Sequence, residues 1–457
     1  MATTVPSTPL TILLFSVYVA IAVAIGIYAS RRETEEDFMI AERRVHGLQM
    51  IATITAGMFD GAILSIYIAY VYQFGFSAMW FFVGLCLGFL LFRHLAFKIK
   101  LKADEMRAYS MPEYFYKLLG KQTGVMFSIF LVVQFFGYLV VNFIISGKVL
   151  VHLFPMAPAA ICTIIGGIII LIYLLLAGFK AVVRTDFYQL LIMVIMTLTV
   201  ALALFRQTTI TTSDFDVGSM GIGNIVSFLL LAGLGILVAP DLWQRVFAAR
   251  DVRTLRSGFA YGALILPLLA TIVTVLGLAT KHYFSSLAPE DALVTGFSRL
   301  LPYGIKEFGL VLLYAVALSS SDTVTFVVAS IFTRDFKNYS VRFSEESMKK
   351  MTRLFMILFV VAAMTTAVFY QRILSLAFSL MSLNLALFPV VFGSLFWTLN
   401  RRAVFWSLVF TLAAVLILCV SQSLTPETAV LSFPAALFSL LLLQVLLRRR
   451  KVQTGAL

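Results

Sequence analysis

The stretch "AVALSSSDTVTF", residues 315–326, sets Ser319, Ser320, Ser321, Asp322 and Thr323 into an otherwise apolar run. At helical spacing Ser319, Asp322 and Thr323 share one face. Hydroxyls with a single carboxylate make an oxygen-rich patch of low charge, the donor set that suits a hard monovalent cation. A lone serine in a membrane helix generally bonds back to the carbonyl one turn earlier. Four hydroxyls and a carboxylate together read better as one wall of a cation site.

A second polar group lies in "TAGMFDGAILS", where Asp60 stands between Gly57 and Gly61. Glycine weakens a helix, and unwound backbone at membrane depth is tolerated only where it meets protein or a wet cavity. Two readings are open: a kinked helix whose aspartate bonds a neighbouring helix, or a broken helix whose aspartate faces a site. A matching irregularity occurs in "LAGLGILVAPDLWQR", where Gly233 and Gly235 precede Pro240.

These residues must be positioned by membrane helices. Of the 457 residues 61% are hydrophobic and 12% charged, about half the usual charge of soluble domains. A charge at the centre of a spanning helix costs about 2.5–3.5 kcal/mol, so Asp60 needs a reason to be there. Hydropathy and length predict an all-α polytopic protein with thirteen spans, at 10–29, 47–74, 77–99, 122–152, 158–178, 184–206, 222–247, 257–280, 306–336, 351–370, 373–397, 402–421 and 428–447. The first span lacks the basic flank and small-residue cleavage site of a signal peptide and reads as a retained helix.

Arginine and lysine sort to one side. That side carries Arg31, Arg32, Arg43 and Arg44, the 98–121 and 180–184 basic residues, Arg245, Arg250, Arg253 and Arg256, the 334–353 cluster, Arg401 and Arg402, and Arg448 to Lys451. The opposite loops are poor in cations, and 207–221 holds only acids. The expectation is an outside N-terminus and a cytoplasmic C-terminus in a cell membrane. The same distribution explains the net charge of +13 without a nucleic-acid partner. Cys86, Cys162 and Cys419 fall in apolar spans as packing residues, and the four histidines are scattered near span ends. There is no metal-ligand spacing, phosphate loop or nucleophile elbow, so no enzyme is expected.

The two interrupted spans, the second and the seventh, are five apart. That is the spacing expected if the second to sixth and seventh to eleventh spans form inverted repeats, each opening with a broken helix at a substrate site.

Several separated stretches then resemble the sodium:solute symporter family. "DFMIAERRV" (37–45) is similar to its "DFFLAGRSL" segment, with Glu42 in place of the usual glycine, and "SMPEYFYKLLG" (110–120) to its "TLPEYLxxRFG" loop. "AGFKAVVRTDFYQ" (177–189) resembles "GGFxAVxWTDxxQ", departing at Ala177 and Arg184. "DLWQRVFAARD" (241–251) and "LSSSDTVTF" (318–326) resemble "QRxxAAKD" and "MSTxDSxL". The resemblance runs in family order over about 37–397.

It implies a ten-helix inverted-repeat core over 47–397, of the LeuT-like kind, with an extra helix at 10–29 and two more at 402–447. It implies sodium as the co-transported ion, held by the Ser319 and Ser320 hydroxyls and the carbonyls of Val316, Met58 and Gly61. Asp60 corresponds to an aspartate that affects sodium use in proline-transporter-like members. Asp186 would join a second cation site with Asp322 and Thr323, although Asp322 is not a hydroxyl and Asp186 reads equally as an interfacial carboxylate beside Arg184. Asn142, Trp243, Ser382 and Asn384 are the solute-contact candidates. No sugar-type glutamine and glutamate cluster is present, and Lys148 is expected near an outer helix end. The expectation is sodium-driven uptake of a small organic solute, amino-acid-like or a carboxylate. A non-transporting sensor and a proton-coupled carrier on the same fold are the alternatives.

Overall fold

A computed structural model of the protein describes residues 9–29, 43–45, 47–176, 179–205, 211–339, 345–420 and 424–453. Among them the chain is helical, with one isolated bridge between Val45 and Ala249. The helices are α1 Pro9–Ala29, α2 Gly47–Met58, α3 Gly61–Phe74, α4 Trp80–Met106, α5 Met111–Leu119, α6 Lys121–Leu153, α7 Ala159–Leu176 and α8 Phe179–Phe205. They continue as α9 Gly221–Gly235, α10 Pro240–Ala248, α11 Val252–Tyr283, α12 Ile305–Tyr339, α13 Glu345–Phe369, α14 Ile373–Phe396, α15 Arg401–Val420 and α16 Ser432–Gln453. Short helical turns at Pro289–Asp291, Ala292–Thr295 and Pro426–Ala429 join them. Among the described residues, nine helical stretches are long and apolar enough to cross a membrane, and shorter apolar helices lie at Pro9–Ile21, Gly47–Met58, Ala159–Ile172 and Met193–Leu204.

Both expected interruptions are present. The second apolar stretch splits into α2 and α3 at Phe59 and Asp60. The seventh splits into α9, a single 3-10 turn at Ile236–Val238, and α10. Pro240 begins α10, where its missing N–H costs nothing and its fixed φ suits a first turn.

Burial ranks the helices from centre to rim. The apolar window of α12 is 100% buried and that of α6 is 67%, whereas the window in Pro426–Leu447, a stretch that takes in the Pro426–Ala429 turn and most of α16, is 17% buried and faces outward. Spans from the two halves interleave: α4 packs on α9 and α11, and α6 on α12 and α14. At the crossing of α4 and α9 the backbones themselves meet. A Cβ on Gly84 would lie 3.0 Å from the Phe228 oxygen, and one on Gly88 would run into the Gly233 carbonyl. The absence of side chains there lets the two backbones touch, as small residues generally do between membrane helices.

On one side of the bundle a connecting loop covers the helix ends. Ser77 Oγ donates to Val217 O at 2.9 Å, and Trp80 Nε1 to the same oxygen at 2.8 Å. His282 lies 3.0 Å from Asp214, whose carboxylate also accepts from Thr211 N at 2.9 Å and Thr211 Oγ1 at 2.6 Å. Burial pushes the Asp214 carboxyl up, but these bonds outweigh it and hold the group below its ordinary value. On this face Lys148 pairs with Asp291 at 2.6 Å, and the Glu290 carboxylate accepts from Ile373 N and Leu374 N at the start of α14.

Two predictions follow from these contacts. Gly88→Ala should lower the melting temperature of the purified protein by an amount worth about 1–3 kcal/mol, while Gly218→Ala, which meets no crowding atom, should stay within about 0.5 kcal/mol of wild type. Because the Asp214 carboxyl is depressed in the folded state, its contribution is complete above the ordinary value of 3.8 and is lost as pH falls through the lower folded value. Melting curves across acid pH should show that loss in wild type and not in Asp214→Asn.

Candidate functional site

The break in the second stretch is finished by its own aspartate. Asp60 caps α3, its Oδ1 accepting from Ile63 N at 2.5 Å, with φ −90° and ψ 167°. Of the two readings open in the sequence, the broken helix is the one found, and no bond from Asp60 to a neighbouring helix occurs among the described residues. The end of α2 releases its last carbonyls from helical pairing. The break lies directly against the serine helix: a Cβ on Gly61 would stand 3.1 Å from Asn142 Oδ1 and 3.6 Å from Ala317 Cα.

The second break is repaired by side chains. Asn384 Nδ2 donates to Gly235 O at 3.2 Å, and Trp243 Nε1 to Leu237 O at 2.8 Å. Arg245 joins the two breaks. Fully buried, it donates Nε to Thr53 O at 2.8 Å and to Thr53 Oγ1 at 2.9 Å in α2, and Nη1 to Asp241 O at 3.0 Å and to Asp241 Oδ2 at 3.3 Å in α10. Gly57 makes room for it, since a Cβ there would lie 2.7 Å from the guanidinium.

Between the two breaks is a cavity of about 80 Å³, space for several water molecules at roughly 10–15 Å³ each. Met58, Asp60, Asp241, Ser320, Thr323 and Asn384 line it together with Gln134, Tyr138 and apolar side chains from α4, α6, α9 and α14. Asp60 and Asp241 thus meet in one space, the first as the cap at its break and the second in the first turn of α10.

The expected site residues are distributed as follows. Ser320 faces the cavity and its hydroxyl donates to Val316 O at 3.2 Å, so two of the expected cation ligands adjoin. Ser321 and Thr325 bond back to Ala317 O and Ser321 O at 2.7 Å each, as isolated helix hydroxyls do. Thr323, expected in a second cation site, lines this same cavity. The side chains of Ser319, Asp322, Asp186 and Cys419 lie outside the described ones.

Of the solute-contact candidates, Asn384 lines the cavity and three do not. Trp243 is committed elsewhere: its ring packs edge-on to Tyr114 with centroids 5.2 Å apart and near Phe115 at 5.6 Å, and its N–H is taken by Leu237. Asn142 donates Nδ2 to Tyr138 O at 3.1 Å and sits behind Gly61, and Ser382 is wholly buried. Arg245, grouped with the loop cations by its sequence position, is an interior residue of α10. Asp241, Gln134 and Tyr138 were missed. The parallel between Asp60 at the first break and Asp241 just past Pro240 at the second is the sequence signal that could have found it.

On the arginine-bearing side a clasp joins the ends of the two broken helices. Val45 N donates to Ala248 O at 3.1 Å and Arg250 N to Val45 O at 2.9 Å, joining the start of the core to the end of α10. Arg43 pairs with Asp104 at 2.7 Å and donates to Ala108 O, and Lys100 reaches the same Asp104 at 2.9 Å.

Two broken helices facing one buried cavity, inside an interleaved helix bundle, define a membrane transporter of the LeuT-like fold. Residues 38–411 match the sodium:solute symporter family, and the chain belongs to it. The sodium/proline symporters of Staphylococcus aureus strains Newman and JH9 are each 25% identical over 366 residues, covering 74% of this chain and 70% of theirs. Among solved structures, a Na+-coupled sialic acid symporter in a substrate-bound, outward-open state superposes with a TM-score of 0.82 at 15% identity, covering 94% of this chain and 96% of that one. MhsT in complex with L-phenylalanine superposes at 0.57 and 15% identity, covering 90% and 99%. At these identities the structural matches speak to the fold.

Arg245 provides a test of the link between the breaks. Arg245→Met leaves Asp241 and the Thr53 carbonyl without their donor and should cost about 3–5 kcal/mol of stability. Asp241→Leu combined with it should recover part of that loss in a thermal double-mutant cycle. Simple additivity of the two changes would mean that the pair does not act as a unit.

Proposed function

We propose that this protein is a secondary transporter that couples inward sodium movement to uptake of a small organic solute by alternating access. The observation that carries the reading is the contact of the first break with the serine helix, with Met58 and Ser320 on the wall of one cavity. Sodium is held by the Ser319 and Ser320 hydroxyls with the carbonyls of Val316, Met58 and Gly61. Asp60, at the break, links sodium occupancy to the solute space. Asp186, Asp322 and Thr323 form a second cation site. The relatives that transport proline and sialic acid with sodium support the coupling ion, and an amino-acid-like solute or a carboxylate suits a compact cavity of this kind.

In this scheme the protein lies in the cell membrane with thirteen spans, its N-terminus outside and its C-terminus in the cytoplasm. The core occupies 47–397, flanked by a helix at 10–29 and two at 402–447. The Arg43–Asp104 clasp then stands on the cytoplasmic side and must open for inward release. Sodium and solute raise each other's affinity by equal factors, as linkage requires.

The test needs no knowledge of the solute. Thermal unfolding of the purified protein is followed in rising sodium against potassium at equal ionic strength, for wild type and Ser319→Ala/Ser320→Ala. Sodium at tenfold excess over its Kd should stabilise wild type by about 1.4 kcal/mol, and the double variant should lose that gain. An equal response to potassium, or a gain the variant keeps, would sink the sodium site and leave proton coupling at Asp60 or a sensor as the reading to pursue.

A further inference from the structure

The polar groups around the cavity share a polarity that bears on the solute. Asp60 and Asp241 contribute two carboxylates, and among the described residues no lysine, arginine or histidine lines the space. Arg245 is turned to Thr53 and Asp241 and does not line it, so its charge answers that of Asp241. Asp60 has no basic partner among the described residues; its carboxylate accepts from Ile63 N. A carboxylate at membrane depth without a counter-charge is costly, and a positively charged occupant of the cavity would offset that cost.

Two further groups ask for donors, independently of the acids. Asn384 is 8% exposed, and because its Nδ2 donates to Gly235 O, the atom left over is the carbonyl Oδ1, which has no hydrogen-bond partner. Gln134 is 2% exposed and its Oε1 also has no partner. Ser320 uses its proton on Val316 O. Buried acceptors left unmet are expensive, and an N–H-bearing cation meets acceptors and carboxylates together. Phe81, Phe135 and Tyr138 complete the wall with aromatic surface, which a partly desolvated cation also favours.

We propose that the solute presents a positively charged, N–H-bearing nitrogen to Asp60, Asp241, Asn384 and Gln134, and that compounds of the same shape carrying only a carboxylate are rejected. This rests on the reading of the cavity as the solute site and narrows its solute to ammonium-bearing compounds, zwitterionic amino acids included. A carboxylate alone would face Asp60 and the unmet acceptors of Asn384 and Gln134 and find no basic side chain on the cavity wall among the described residues.

The experiment uses two series that differ only in their charged groups. One is pyrrolidine, proline and cyclopentanecarboxylate; the other is 2-phenylethylamine, phenylalanine and 3-phenylpropanoate. Each compound is titrated against the full-length protein at neutral pH, in sodium and separately in potassium, with thermal stabilisation and the apparent Kd as readouts. In at least one series the ammonium carriers should stabilise the protein and the carboxylate should not. Asp60→Asn should weaken the amine by at least about thirtyfold, the loss expected when one side of a buried charge pair is removed. Asp241→Asn disturbs Arg245 and could fail to fold, so Asn384→Leu, which removes only the acceptor and its bond to Gly235, serves as the second variant and should also weaken the amine. The proposal is overturned if a carboxylate binds as well as its amine counterpart, if both variants keep the wild-type affinity, or if no ammonium carrier in either series binds. Running both salts separates the readings: an ammonium preference in potassium with no response to sodium strikes the coupling ion alone, whereas sodium stabilisation with carboxylate binding strikes the solute class alone.

Discussion

Unwound backbone at membrane depth has to find hydrogen-bond partners within the protein, since lipid offers none. Much of the arrangement around the cavity follows from meeting that demand at two places, Phe59–Asp60 and Val238–Ala239. At the first, the aspartate at the break caps the helix that follows it. At the second, Asn384 and Trp243 reach carbonyls that the 3-10 turn leaves exposed. Arg245 then ties one broken helix to the other by bonding Thr53 and Asp241 at once. Asp60 and Asn384, which repair the breaks, and Asp241, which holds Arg245, also line the cavity, so the site and the repair share residues.

This has a consequence for motion. Bonds from side chains to a broken helix can be exchanged with little disturbance to the helices themselves, whereas an intact helical ladder has to be opened bond by bond. The clasp at Val45, Arg43 and Asp104 is similarly a small set of bonds that joins the first broken helix to α10 and α4 on one face. The glycine crossing of α4 on α9 is of the opposite character: direct backbone contact with no flexible side chain between. A rigid interleaved frame holding two mendable helices is the mechanical form that alternating access needs.

Much of this was legible in the chain and some of it was not. The apolar lengths gave the helices, and Gly57, Gly61, Gly233, Gly235 and Pro240 gave both breaks, because these residues act on the backbone wherever they stand. The serine run pointed to its cavity for a similar reason, since several hydroxyls on one helix have few apolar uses. The surroundings of Trp243 and Arg245 were not legible. In sequence, an aromatic next to a motif suggests a ligand contact and an arginine near a span end suggests a loop, but the partners that decide the matter are Tyr114, Leu237, Thr53 and Asp241, two of them far away in the chain.

The sequence by itself therefore determined the membrane class, the helices, the position of the breaks and the polar character of the serine helix. All of these depend on local composition and on the depth at which a residue lies. Only the tertiary structure decided that Asp60 and Asp241 share one space, that Arg245 serves both broken helices, and that Asn384 rather than Trp243 faces the cavity. Those are outcomes of which helix packs on which, and a buried polar group takes its role from the donors and acceptors that packing brings within about 3 Å of it.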